Sequence, residues 1–172
     1  MRNQPLSGKA SHKPWFFLEV LSIANESKVT FEEFVTQALK GDTQKHALDF
    51  AAFLRARGMV VEKNHSQVTS NGKVMCYLHI GGEAEMPGPW TIWPNGDFCG
   101  IPIGFVFDES MKEIAWAHVN ICGSCGGQCA PGSHKTLFGK EFDNVCGAVM
   151  AFTDPNAAEL ECVKKLLEMK MC

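Results

Sequence analysis

Asn71-Gly72-Lys73-Val74-Met75-Cys76-Tyr77-Leu78-His79-Ile80 is the stretch on which the fold turns. Val74, Cys76, Leu78 and Ile80 alternate with Met75, Tyr77 and His79, and this period sends one set of side chains to each face of a β-strand. Asn-Gly tolerates the positive φ angles of a tight hairpin turn, so two antiparallel strands are expected, about Val61–Ser70 and Lys73–Ile80. Beyond the Gly- and Pro-containing stretch Gly81–Pro89, Trp90-Thr91-Ile92-Trp93 reads as a third strand ended by Pro94-Asn95-Gly96. Ile101–Phe107 reads as a further extended piece, and Val145–Phe152 is apolar enough for a buried strand.

Helical signals flank these strands. Thr30 followed three residues later by Glu33 is a capping-box pattern, and Phe31, Phe34, Val35 and Ala38 recur at helical spacing, predicting a helix over Phe31–Lys40 that Gly41 stops. Asp42 is the expected N-cap of a second helix carrying Ala47, Phe50, Ala51 and Leu54 on one side, closed by Gly58. Asp108 is expected to cap a helix over Glu109–Val119. Asp154-Pro155 reads as the N-cap and first turn of a C-terminal helix that turns Leu160, Val163, Leu166 and Leu167 inward. The fold class is therefore α+β: an antiparallel sheet of four or five strands packed with an N-terminal helical hairpin and a C-terminal helix. Residues 29–172 form one domain in this reading, after an extension over 1–28 that is flexible or, around Trp15–Ala24, partly helical.

A chain of 172 residues with 45% hydrophobic and 20% charged residues has the composition of an ordinary globular domain. A net charge of -3 gives no electrostatic reason to expect a nucleic acid as partner, and the basic residues near Lys9 and Lys164 read as solvated surface. Glu19 interrupts the only stretch resembling a signal-peptide core, and no apolar run approaches the ~18 residues that span a bilayer. No membrane is expected as a partner, and the expected location is the cytoplasm. There the eight cysteines serve metal binding, redox chemistry or core packing more often than disulfides.

The chemistry is concentrated in Cys122-Gly123-Ser124-Cys125-Gly126-Gly127-Gln128-Cys129. Two residues between thiols is the spacing of a metal knuckle, and zinc takes four ligands from thiolates or imidazoles in tetrahedral geometry. Cys122, Cys125 and Cys129 are thus expected to hold zinc with a fourth ligand from elsewhere. Cys146 is the first choice, and His118 and His134 are the alternatives. An iron–sulfur cluster on the same cysteines is a less favoured cofactor. Function then divides in two: a binding or interaction module for a small molecule or protein, built around structural zinc, or a thiol redox enzyme or sensor using Cys122 and Cys125. The second needs a thiolate of lowered pKa, ordinarily at a helix N-terminus, and the glycines with Pro131 argue for an irregular loop.

Other residues invite functional readings against commoner structural ones. Trp90 and Trp93 are candidates to line an apolar ligand pocket, although core packing is the more frequent use of strand tryptophans. His79 with Glu83 and Glu85 lacks any element that must face it. Gly132–Thr136 lacks the glycine spacing of a phosphate loop, so Lys135 and Lys140 read as solvated. Cys76 and Cys162 fall on apolar stripes as small hydrophobes.

Ile114-Ala115-Trp116-Ala117-His118-Val119-Asn120, Phe138–Cys146 and Leu160–Leu166 together give the chain a resemblance to a family of small cysteine-containing proteins from anaerobic Firmicutes. The resemblance covers roughly residues 30–170 and, because the family has no established activity, implies none.

Overall fold

The structure is a computed structural model that describes residues 29–62, 66–81, 89–123 and 131–172. The extension over 1–28 lies outside the described residues, as do Glu83 and Glu85. The class is α+β, with two antiparallel sheets and four helices among the described residues.

Helices α1 (Phe31–Ala38) and α2 (Gly41–Ala56) form the N-terminal hairpin. The Thr30–Glu33 capping box is present, so two backbone donors that the first turn leaves free are satisfied reciprocally. Gly41 does not stop α1. It opens α2 at φ +64, and Asp42 sits in the first turn of α2 instead of capping it. The exposed C-terminal carbonyls of α1 are met from the next helix, where Gln44 Nε2 donates to Thr36 O at 3.0 Å and Leu39 O at 2.8 Å. Gly58, at φ +66, follows the C-terminus of α2 in the left-handed conformation expected of it.

Strands β1 (Val60–Val61), β2 (Gln67–Ser70), β3 (Lys73–Ile80), β4 (Trp90–Pro94) and β8 (Phe152–Thr153) make a five-stranded sheet in that order. The Asn71-Gly72 turn has φ of +49 and +74, the sign a two-residue hairpin requires, and Ser70 pairs with Lys73 across it. Cys76, Leu78, Trp90 and Ile92 are buried. Helix α4 (Ala157–Met171) packs against β3 and β4 as well as α2 and α3 (Glu109–Ala117), with Leu160, Val163, Leu166 and Leu167 at 0–1% exposure. Lys164 ties α4 to α2 by reaching Asp49 at 2.5 Å while its ammonium lies 5.9 Å from the centre of the Phe53 ring.

A second sheet, in the order β5 (Val119–Ile121), β7 (Lys140–Met150), β6 (Ser133–Leu137), departs from the single sheet expected. The apolar run Val145–Phe152 is divided between the sheets: its pairing with the β5 side runs as far as the Ala151 N–H to His118 O bond at 3.0 Å, and Phe152 then pairs with Ile92 in the first sheet. Asp154 is not the cap of α4. At φ +47 it closes back on Trp90 O (2.9 Å) and accepts from Thr43 Oγ1 (2.8 Å), and capping passes to Asn156, whose side chain accepts from Ala158 and Glu159. Asn156→Ala is expected to cost about 1 kcal/mol, read as an equal shift in chemical and thermal unfolding. Ile101–Phe107 is not a strand either. Phe105 N–H bonds Pro102 O at 3.0 Å around Gly104 (φ +83), leaving Ile103 wholly exposed.

Candidate functional site

The expected knuckle spans the connection between β5 and β6. Cys122 is described at its start, and Cys125 and Cys129 lie outside the described residues. Both stems of this connection meet at Asn144 on the central strand β7. Cys122 N–H donates to Asn144 O at 2.7 Å, and Asn144 Nδ2 donates to Cys122 O at 2.6 Å. On the returning stem Gly132 lies so close that a Cβ there would stand 2.5 Å from both Asn144 O and Oδ1. Asn144 itself is at φ +58, a conformation asparagine tolerates better than most residues, and it coincides with a register shift in which Ser133 pairs with Val145 and Lys135 with Phe142.

This geometry sets Cys122, just past the end of β5, beside the strand β7 that carries Cys146. Val145 pairs with Ile121 on one side and Ser133 on the other, so Cys122 is level with Asn144 and Cys146 follows the shared partner Val145. Both thiols are partly buried and free of disulfide. Asn144, which holds the Cys122 backbone two residues before Cys146, is not a metal ligand and escapes a search for ligand spacing; the signal available in the sequence was Asp143-Asn144, a turn-favouring pair inside an otherwise extended run.

The two histidines differ in availability. His118 has both ring nitrogens engaged, Nδ1 3.2 Å from Ala151 O and Nε2 3.1 Å from Glu159 Oε1, and its ring stacks on Phe152 with centroids 4.3 Å apart. A metal would have to displace one of these contacts. His134 stands exposed on β6 with Nδ1 2.8 Å from Asp143 Oδ1, a hydrogen bond that raises the imidazole pKa above its ordinary value. Metal-bound histidines often carry such a carboxylate on the other nitrogen. Among the described residues alone, no group of three or more His, Cys, Asp or Glu side chains is gathered to hold a metal.

The tryptophans do not share a wall. Trp90 pairs with Ile80 and Trp93 with Tyr77, and three residues along a strand put side chains on opposite faces. Trp90 is fully buried, edge-on to Phe50 at 6.1 Å, which is core packing. Gly132–Thr136 runs into strand β6. Lys135 Nζ lies 3.5 Å from Asp97, and Lys140 Nζ lies 4.9 Å from the centre of the Trp116 ring. Cys76 and Cys162 are buried as expected; burial pushes the Cys162 thiol up to about 12 and the Cys76 thiol higher still, so neither is a ready nucleophile. Among the described residues no helix is long and apolar enough to cross a membrane.

No family model matches this sequence, and comparison with curated proteins and with solved structures returns no match.

Proposed function

We propose that the protein is a binding or interaction module whose β5–β6 connection is held by zinc through Cys122, Cys125, Cys129 and Cys146. One observation carries the reading: Asn144 clasps Cys122 through two hydrogen bonds and lies two residues from Cys146, so two of the four proposed ligands come from neighbouring strands. The metal would supply a cross-link between β5 and β7 that thiols alone do not provide. Ligand deprotonation would couple its binding to folding. His118, already bonded at both nitrogens, is the poorer fourth ligand, and His134 is the alternative to Cys146. A reducing compartment such as the cytoplasm belongs to the proposal, because oxidised thiols do not ligate zinc. The expected partner is a small molecule or protein, since the net charge of -3 offers nothing to a nucleic acid. Kinship with the cysteine-containing proteins of anaerobic Firmicutes stands beside it as an expectation and adds no activity.

The test is elemental analysis of anaerobically purified protein, with X-ray absorption at the zinc edge. About one zinc per chain, lost in Cys125→Ser, with four sulfur neighbours near 2.3 Å, is the expected result. A shell of three sulfurs and one nitrogen, the nitrogen lost in His134→Gln, would replace Cys146 by His134. Iron in place of zinc would move the reading to a cluster. Metal-free protein with one rapidly alkylated thiol would sink the zinc reading and make Cys122–Cys125 redox chemistry the leading alternative.

A further inference from the structure

A cleft of about 270 Å³ lies away from the cysteine connection, between the segment after β4 and the end of α4. Its walls are apolar at Phe98, Pro102 and Met169, while Lys170 and the exposed Cys99 thiol bring polar chemistry to them. The two walls are joined at one atom. Val74 O accepts from Asn95 Nδ2 at 3.1 Å on one side and from Lys170 Nζ at 2.9 Å on the other.

Two features of the cleft are costly to the fold without a ligand. Lys170 is partly buried, and among the described residues no carboxylate lies within ion-pair range of it; Asp97, which also lines the cleft, is 3.5 Å from Lys135. Desolvation lowers the pKa of its ammonium; Cys76 opposes this, and nearby Lys73 adds to the lowering. Phe98, moreover, holds a left-handed backbone at φ +50, uncommon for an aromatic residue and worth about 1–3 kcal/mol of strain. Packing sustains it: Phe98 O accepts from Phe138 N at 3.3 Å, the two rings lie 6.2 Å apart, and the Phe98 ring crowds against Gly96. A partly desolvated cation lacking a counter-charge, beside apolar walls and a strained segment, is the arrangement expected of a site for an anion with an apolar body.

We propose that this cleft binds a small amphiphilic carboxylate, its head group on Lys170 and its hydrocarbon part against Phe98, Pro102 and Met169. The volume falls just below the ~300 Å³ at which pockets for drug-sized ligands begin, so the ligand is correspondingly small. This site is independent of the zinc proposal.

Octanoate is a suitable probe, with octanol as its uncharged counterpart. Titration of the full chain by calorimetry is expected to give octanoate binding at least about ten-fold tighter than octanol, the difference a charge-assisted contact makes. Octanoate should also slow the alkylation of Cys99 by iodoacetamide, followed by peptide mapping. Lys170→Met should weaken octanoate about ten-fold or more and leave octanol unchanged, while Lys170→Arg should retain most of the octanoate affinity. Equal binding of octanol and octanoate by the wild-type chain would overturn the proposal, as would an unprotected Cys99. The wild-type comparisons hold even if Lys170→Met fails to fold.

Discussion

Trp90→Ala is expected to destabilise the protein by about 3–5 kcal/mol, a large part of the ~5–15 kcal/mol that usually separates a folded domain from its unfolded chain. The ring is fully buried on β4, meets Phe50 edge-on at 6.1 Å, and belongs to the core that α2 and α4 close over the five-stranded sheet. No neighbour can collapse into so large a void without unpacking a helix. Trp90→Phe is expected to behave very differently. The indole Nε1 is buried with no hydrogen-bond partner among the described residues, so phenylalanine removes an unsatisfied donor along with volume. The gain from losing that donor, about 1–3 kcal/mol, offsets much of the packing loss, and the net cost should stay below about 2 kcal/mol. Urea unfolding with unchanged m-values measures both variants. A Trp90→Phe cost equal to that of alanine would mean that the indole N–H is satisfied in solution.

The same residues explain which parts of the fold were legible in the sequence. The Asn71-Gly72 hairpin, the Trp90 strand and the amphipathic helices follow from local rules: alternation, capping and a turn dipeptide that accepts positive φ. The second sheet follows no such rule. Its β6–β7 hairpin turns at Phe138-Gly139, with φ of +49 and +86, and nothing in local propensity proposes phenylalanine for a left-handed position. Tertiary contacts sustain it, since Phe138 is buried with its ring 4.8 Å from Phe107 and 6.2 Å from Phe98. Asp154 likewise read as a cap because it precedes proline. Its backbone instead bonds Trp90 O from distant sequence, and the cap moved to Asn156.

The candidate site divides in the same way. Cys122, Cys125, Cys129 and Cys146 are visible as ligand types at suggestive spacing, but that Cys122 comes to lie beside the strand carrying Cys146 depends on the strand order β5-β7-β6. Asn144 and Gly132 carry no metal-ligand chemistry, and their importance appears only where three strands meet. Lys170 is one of three lysines on α4, and only the fold turns its ammonium toward Val74 O, at 2.9 Å.

Gly132→Ala is expected to be the most damaging single-methyl change in the second sheet. A Cβ on Gly132 would lie 2.5 Å from Asn144 O and 2.6 Å from Asn144 C, and backbone atoms cannot rotate away as a flexible side chain can. Asn144 is held besides, donating to Cys122 O at 2.6 Å and accepting from Cys122 N–H at 2.7 Å. The stem after Pro131 must therefore move, or the β5–β7 pairing must yield, at an overpacking cost of about 1–3 kcal/mol. Gly147→Ala, three residues beyond Asn144 on the same strand, is the control. It meets nothing within 4 Å and has no positive φ, so it is expected to be neutral or slightly stabilising by restricting the unfolded chain. Urea unfolding separates the two, and hydrogen exchange of the Cys122 amide locates the effect, because only Gly132→Ala should expose that bond early. Equal stability of the two alanine variants would show that the stem is free to shift. Zinc affinity measured in the same pair tests the clasp from the other side: if Asn144 aligns Cys122 with Cys146, Gly132→Ala weakens metal binding and Gly147→Ala does not.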